Sequence, residues 1–156
     1  MINTNGEEGM KFWIGNLAQG ANKTILWAQL IVDGVNHGPH PFLMQVRDLK
    51  THEVLKGITI GDCGPKNGLN IIDNGYMMIK DARIPVDTLL GKLGSIDENG
   101  KYRSVVKRNS QRFGLHMSPL SFGRAGLVTA SLTQASAAIA IGLRFSCHRR
   151  QFKTTN

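Results

Sequence analysis

Residues 119–152 read PLSFGRAGLVTASLTQASAAIAIGLRFSCHRRQF, with one proline, at the first position, and no carboxylate. The stretch AGLVTASLTQASAAIAIGL, residues 125–143, carries no charge at all. Alanine, leucine and isoleucine favour helix, and nothing after Pro119 breaks it. Ser118 is suited to cap such a helix, with Pro119 tolerated in its first turn. Run to Phe152, the helix would be about 50 Å long. Length and apolarity raise the question of a membrane. Thr129, Ser131, Thr133, Gln134 and Ser136 interrupt the apolar run, so we expect no membrane span but a helix buried among other helices. Those partner helices are not visible elsewhere in the chain.

The preceding two-thirds reads as β. Residues 24–32 (TILWAQLIV) are β-branched and aromatic, bounded by Asn22-Lys23 and Asp33-Gly34. Residues 41–47 (PFLMQVR) follow a turn-rich VNHGPH, and residues 54–61 (VLKGITIG) alternate. Residues 76–84 (YMMIKDARI) follow Asp73-Asn74-Gly75, a tight-turn signal, and stop at Pro85. Short strands separated by Gly/Asn/Pro clusters imply a small antiparallel barrel or sandwich. The fold class expected is therefore α+β: a β-barrel or sandwich over residues 1–106, then over 107–156 the first long helix of an incomplete bundle.

Charge divides at the same place. All 11 carboxylates precede residue 107, where they balance the local cations, so the net charge of +8 resides in residues 107–156. Cations without local partners must face water, an anion, or carboxylates from elsewhere. A nucleic-acid-binding barrel with a basic tail would use such a charge. It would also interleave aromatics with Lys/Arg on the barrel, and the barrel half is neutral, so no nucleic-acid partner is expected. At 41% hydrophobic and 19% charged, the chain is not disordered. Two cysteines, Cys63 and Cys147, are too few for a disulfide framework. No signal-peptide pattern follows Met1. The five histidines form no metal set; His37 and His40 are the close pair, and no Cys or carboxylate spacing supports them.

The ordered words KFWIG, AQLIVDG, HPFLMQVRDLKTH, GITIGDCGPKNGLN, DNGYMMIKDARIP, GR and RRQF carry a resemblance. Together they resemble the peroxisomal acyl-CoA oxidases, within the acyl-CoA dehydrogenase superfamily, across essentially the whole chain. The resemblance implies the central β-domain of that family for residues 1–106 and the start of its C-terminal helical domain for 107–156. It also implies FAD as cofactor, fatty acyl-CoA as substrate, molecular oxygen as electron acceptor, a homodimer, and a peroxisomal location. The implied reaction removes a Cα proton and a Cβ hydride, giving a trans-2-enoyl-CoA and hydrogen peroxide.

Particular residues follow from the resemblance. Trp13 and Gly15 of KFWIG match positions beside the flavin ring; an aromatic face and a close backbone approach suit that role. By themselves, without the resemblance, these residues read better as a core tryptophan and a bulge glycine. The dehydrogenases usually carry a hydroxyl where this chain has Gly15, so space left there for oxygen is expected. Arg149, Gln151 and Phe152 match positions on the FAD of a neighbouring subunit, and Arg124 one beside the acyl-CoA. A guanidinium suits both, since its fork binds phosphate oxygens directionally. On one continuous helix, Arg124 and Arg149 would share a face. Gly57, Gly61, Gly64 and Gly68 fit neither phosphate-loop fingerprint and are expected in turns and strand edges. The family's proton abstraction needs a carboxylate base. Residues 107–156 contain none, so no catalytic residue is expected in this chain, the base being expected beyond residue 156. No Ser-Lys-Leu-type address ends the sequence. The alternatives are a dehydrogenase-like member, or an inactive member acting through a partner subunit.

Overall fold

The computed structural model describes residues 1–152. It contains seven strands: β1 Lys11–Gly15, β2 Lys23–Val32, β3 Val35–Gln45, β4 Ile58–Asp62, β5 Asn74–Ile79, β6 Gly94–Ile96 and β7 Tyr102–Ser104. Two helices follow, α1 Asn109–Met117 and α2 Leu120–His148. The chain divides into two compact units, Met1–Phe113 and one beginning at Gly114.

The architecture is the expected one, antiparallel strands followed by a long helix. The strands form three sheets, ordered β1-β5-β4, β2-β3 and β6-β7. The hairpin between β2 and β3 has a two-residue loop, with Val32 paired to Val35. Both loop residues are left-handed, Asp33 at φ 50° and Gly34 at φ 76°. That twist matches the strands, so an Asp-Gly pair there is the expected chemistry. The core cluster joins Leu26 and Met44 of this hairpin to Met77 and Ile79 of β5, with Leu17, Val46 and Ala82. Its strand residues recur at the two-residue period of a strand with one buried face. Full burial of each large side chain contributes about 1.5–3 kcal/mol. The two sheets therefore share their apolar faces, as in a sandwich.

Several local expectations give way. VNHGPH is strand: β3 runs from Val35, and Pro39 and Pro41 pair with Gln29 and Trp27. Proline is tolerated because β2-β3 is a two-stranded ribbon and a missing N–H on the outer side breaks no ladder. On that side the Pro41 carbonyl accepts from the Leu90 N–H (3.0 Å). Asp73-Asn74-Gly75 is not a hairpin turn: Asn74 and Gly75 belong to β5, and Gly75 pairs with both Ile14 and Asp62. The strand read over 76–84 ends at Ile79.

The helical third is also cut differently. Helix α1 precedes the long helix, and the Ser118 hydroxyl donates back to the Leu115 carbonyl (2.9 Å) instead of capping α2. Pro119 occupies the cap of α2, which has no side-chain cap. Helix α2 ends at His148, not Phe152; Arg149 turns to extended backbone at ψ 116°. At 29 residues α2 is about 44 Å long. The described residues bury none of it. By length and composition it could also cross a membrane, its most apolar window having a mean hydropathy of 1.5. Four of its hydroxyls are satisfied within the helix: Ser131, Thr133, Ser136 and Ser146 each bond the carbonyl four residues back.

Candidate functional site

β1 is not a regular strand. Lys11 pairs with Met77 and Ile14 with Gly75, so Phe12 and Trp13 together stand opposite Tyr76. Two residues against one is a β-bulge, which re-aims the side chains it carries. Trp13 sits at φ 68°. A bulky residue in the left-handed region is a genuine outlier and costs about 1–3 kcal/mol. The result is that both rings face outward, each 55% exposed. They lie 6.0 Å apart, tilted by 34°. Trp13 is therefore no core residue, and the bulge falls on it and not on Gly15.

Gly15 has ordinary backbone and pairs with Asn74. A Cβ there would meet nothing within 4 Å. Its sheet neighbours differ. A Cβ on Gly61 would strike the Tyr76 ring, and one on Gly75 would come within 2.7 Å of the Ala18 nitrogen. Packing inside the chain explains those two glycines and leaves Gly15 unexplained.

Immediately after Gly15 the backbone is clamped from two sides. The Asp73 carboxylate accepts from three consecutive N–H groups, Ala18 (3.0 Å), Gln19 (3.0 Å) and Gly20 (3.1 Å). The buried Arg47 guanidinium donates to the carbonyls of Leu17, Ala18 and Ala21, each at 2.8 Å. Partial withdrawal from water pushes the Asp73 carboxyl up. The N–H bonds from Gln19, Gly20 and Ala18, with the Arg47 charge, outweigh it and hold the group below 3.8. Neither residue stood out in the sequence: Asp73 was absorbed into a turn signal, and Arg47 closed a strand. A lone cation following an apolar alternation was the available signal for Arg47.

A second polar cluster lies in the same unit. His40 is fully buried; its Nδ1 bonds the Gly38 carbonyl (3.0 Å) and its Nε2 the Tyr102 hydroxyl (2.9 Å). His37 stacks on Tyr102 at 4.0 Å between centroids. The Arg112 guanidinium stands 5.4 Å over the same ring. It donates to the carbonyls of His37 and Val106 and to Asn109 Oδ1. Arg112 is 2% exposed. It thus corrects the expectation for the cations after residue 106: backbone carbonyls, not water or an anion, take its charge. Among the described residues no group of His, Cys, Asp or Glu could hold a metal ion.

The remaining predicted residues lie in the second unit. Arg124 is exposed on α2. Arg149 lies past the helix end, so the shared helical face argued for it with Arg124 does not apply. Its N–H donates to the Phe145 carbonyl (2.9 Å), its Nε to Gln151 Oε1 (3.0 Å), and its guanidinium stands 5.7 Å from the Phe145 ring. Phe152 is 92% exposed. Trp13 and Gly15 are thus brought together in the first unit, and Arg149 and Gln151 in the second.

No protein-family model matches the chain. It is 42% identical over 149 residues to human peroxisomal acyl-coenzyme A oxidase 3, covering 95% of this chain and 21% of that protein. The crystal structure of acyl-CoA oxidase 3 from Yarrowia lipolytica matches with a TM-score of 0.85 at 35% identity, over 99% of this chain and 22% of that one. Acyl-CoA oxidase-2 of Caenorhabditis elegans, solved with FAD, ascaroside-CoA and ATP, matches with a TM-score of 0.80 at 32% identity. That match covers 99% of this chain and 22% of that one. With sequence and fold agreeing over almost all of its residues, the chain belongs to the acyl-CoA oxidase family, spanning about a fifth of the length of the relatives it matches.

Proposed function

We propose that this chain supplies part of the FAD and acyl-CoA sites of an acyl-CoA oxidase, which converts acyl-CoA to trans-2-enoyl-CoA and reduces oxygen to hydrogen peroxide. The observation that carries the reading is Trp13, an indole held outward at backbone strain beside a glycine that the chain's own packing does not require. Strain persists where surrounding structure enforces it, commonly at binding sites. An exposed aromatic with open backbone next to it fits a planar cofactor ring. FAD, when bound, would accept the Cβ hydride and pass the electrons to oxygen.

The chain's own residues then have distinct roles. Trp13 presents an apolar face, and Gly15 leaves room for close approach. Arg149, with Gln151 and Phe152, contacts the FAD of a second copy in a homodimer, and Arg124 contacts the acyl-CoA. Residues 1–106 act as the oxidase's middle β-domain and residues 107–156 as the start of its helical domain. The matched relatives include peroxisomal enzymes, and a peroxisomal location is the corresponding proposal here.

The test is a chimera in which this chain replaces the matching segment of the human oxidase. It should retain FAD and release peroxide from palmitoyl-CoA. In it, Gly15→Thr should lower turnover with oxygen while reduction of an artificial acceptor persists; equal loss with both acceptors refutes the oxygen role of Gly15. A folded chimera without FAD refutes the cofactor reading. The 156-residue chain alone should release no peroxide, because residues 107–156 supply no carboxylate base. The Gly15 result also separates the oxidase from a dehydrogenase-like activity, which would favour the artificial acceptor from the outset.

A further inference from the structure

Lys66 lies in the loop between β4 and β5, and several contacts fix it. Its N–H donates to Asn70 Oδ1 (2.7 Å), and Asn70 Nδ2 donates back to its carbonyl (2.9 Å). Its ammonium donates to the Ile72 carbonyl (2.8 Å). The same ammonium stands 5.9 Å from the centroid of the Trp13 ring. That lies within the range where a cation is attracted by an aromatic face. No carboxylate neutralises it: among the described residues the one ion pair joins Arg103 and Asp97. Lys66 thus holds a positive charge in a defined place, against a strained and half-exposed indole, with no anionic partner.

We propose that Lys66 is the positioning residue of the Trp13 site. It braces the indole, and it makes the site favour a planar anionic ligand over a neutral one. The proposal rests on reading Trp13 as a ligand-contacting ring and adds the electrostatic class of that ligand. Two physical effects act together. The cation holds the indole in its outward position by attraction to the π-density of the ring. Its charge also raises the local concentration of anions within about a Debye length. The bulge supplies the outward ring, and Lys66 supplies the sign of what the ring attracts.

The test uses the 156-residue chain and tryptophan fluorescence, with iodide as an anionic quencher and acrylamide as a neutral one. Trp13→Phe separates the Trp13 signal from that of Trp27. Lys66→Met should lower iodide quenching of Trp13 about twofold at constant ionic strength, with acrylamide quenching unchanged. Lys66→Arg, which keeps charge and reach, should restore the iodide value. Unchanged iodide quenching in Lys66→Met overturns the proposal. So does an equal change with both quenchers, which reports loosening of the loop without a charge effect. Loading of the chimera with FAD keeps the two readings apart, because the chain alone carries only part of that site. An intact iodide difference beside a folded chimera that holds no FAD supports the Lys66 proposal and counts against the flavin.

Discussion

The unit Met1–Phe113 and helix α2 solve opposite problems. The first closes a core of its own, with Leu17, Val46 and Met77 at 0% exposure. The second is apolar and buries nothing among the described residues. Apolar surface in a monomer seldom exceeds a few hundred Å² in one patch. The difference teaches where each obtains its stability. The β unit folds on contacts written within it, whereas α2 has propensity without packing. A helix that depends on tertiary burial is marginal without it.

The largest expected effect tests the first half of that comparison. Arg47→Met should destabilise the β unit by about 3–5 kcal/mol, because three carbonyls, that of the buried Leu17 among them, lose their donor. Met77→Ala should follow at about 2–5 kcal/mol, from the lost transfer energy and the cavity left behind. Denaturant titration followed by tryptophan fluorescence measures both. If either variant melts like the parent, the core described here does not carry the unit's stability.

The second half is tested by removing residues 114–156. The remaining unit should keep its fold and its melting midpoint, while the complete chain self-associates through α2. Sedimentation at several concentrations shows which holds; a monodisperse monomer of the complete chain would contradict the exposed helix.

Acid should distinguish the two regions next. Asp73, Asp48 and Asp97 all titrate below the ordinary carboxylate value. For Asp48 the leading cause is the Thr51 N–H bond, and for Asp97 the bond from Arg103. A carboxyl depressed in the folded state stabilises it above the unfolded value near 3.9 and loses that contribution as pH falls through the folded value. The β unit should therefore hold from neutrality to about pH 4 and loosen below it as these three carboxyls take up protons. Helix α2 has no carboxylate and should keep its far-ultraviolet signal through the same range. Amide exchange at Ala18, Gln19 and Gly20 provides the site-specific measure.

The smallest effect is on the helix alone. Gly142 is an interior glycine, and a Cβ there would meet nothing within 4 Å. Gly142→Ala should strengthen α2 by about 1 kcal/mol, read as greater helicity, and leave the melting of the β unit unchanged.

Much was legible in the residues because it depends on neighbours in the chain. The β2–β3 hairpin follows from a β-branched run and an Asp-Gly pair, and the long helix from composition and the absence of interior proline. The family was legible for a different reason, an ordered set of words across the whole chain. What depends on distant partners was not legible. Asn74-Gly75 has turn chemistry, but hydrogen bonding to strands on either side keeps it extended. Trp13 gives no local sign of left-handed backbone; its bulge arises from the register against β5. Arg112 looks like one more surface cation until the carbonyls of His37 and Val106 surround it.

By itself the sequence determined the order of strands and helix, the apolar alternation of the core, and membership among the oxidases, since periodicity, turn chemistry and residue order are properties of the chain. Only the tertiary structure decided which way the Trp13 ring faces, why Gly15 is not needed for packing, and how Asp73 and Arg47 fix the turn beyond it. Those depend on pairing between segments far apart in sequence, where hydrogen-bond partners and steric room exist only after the chain has folded.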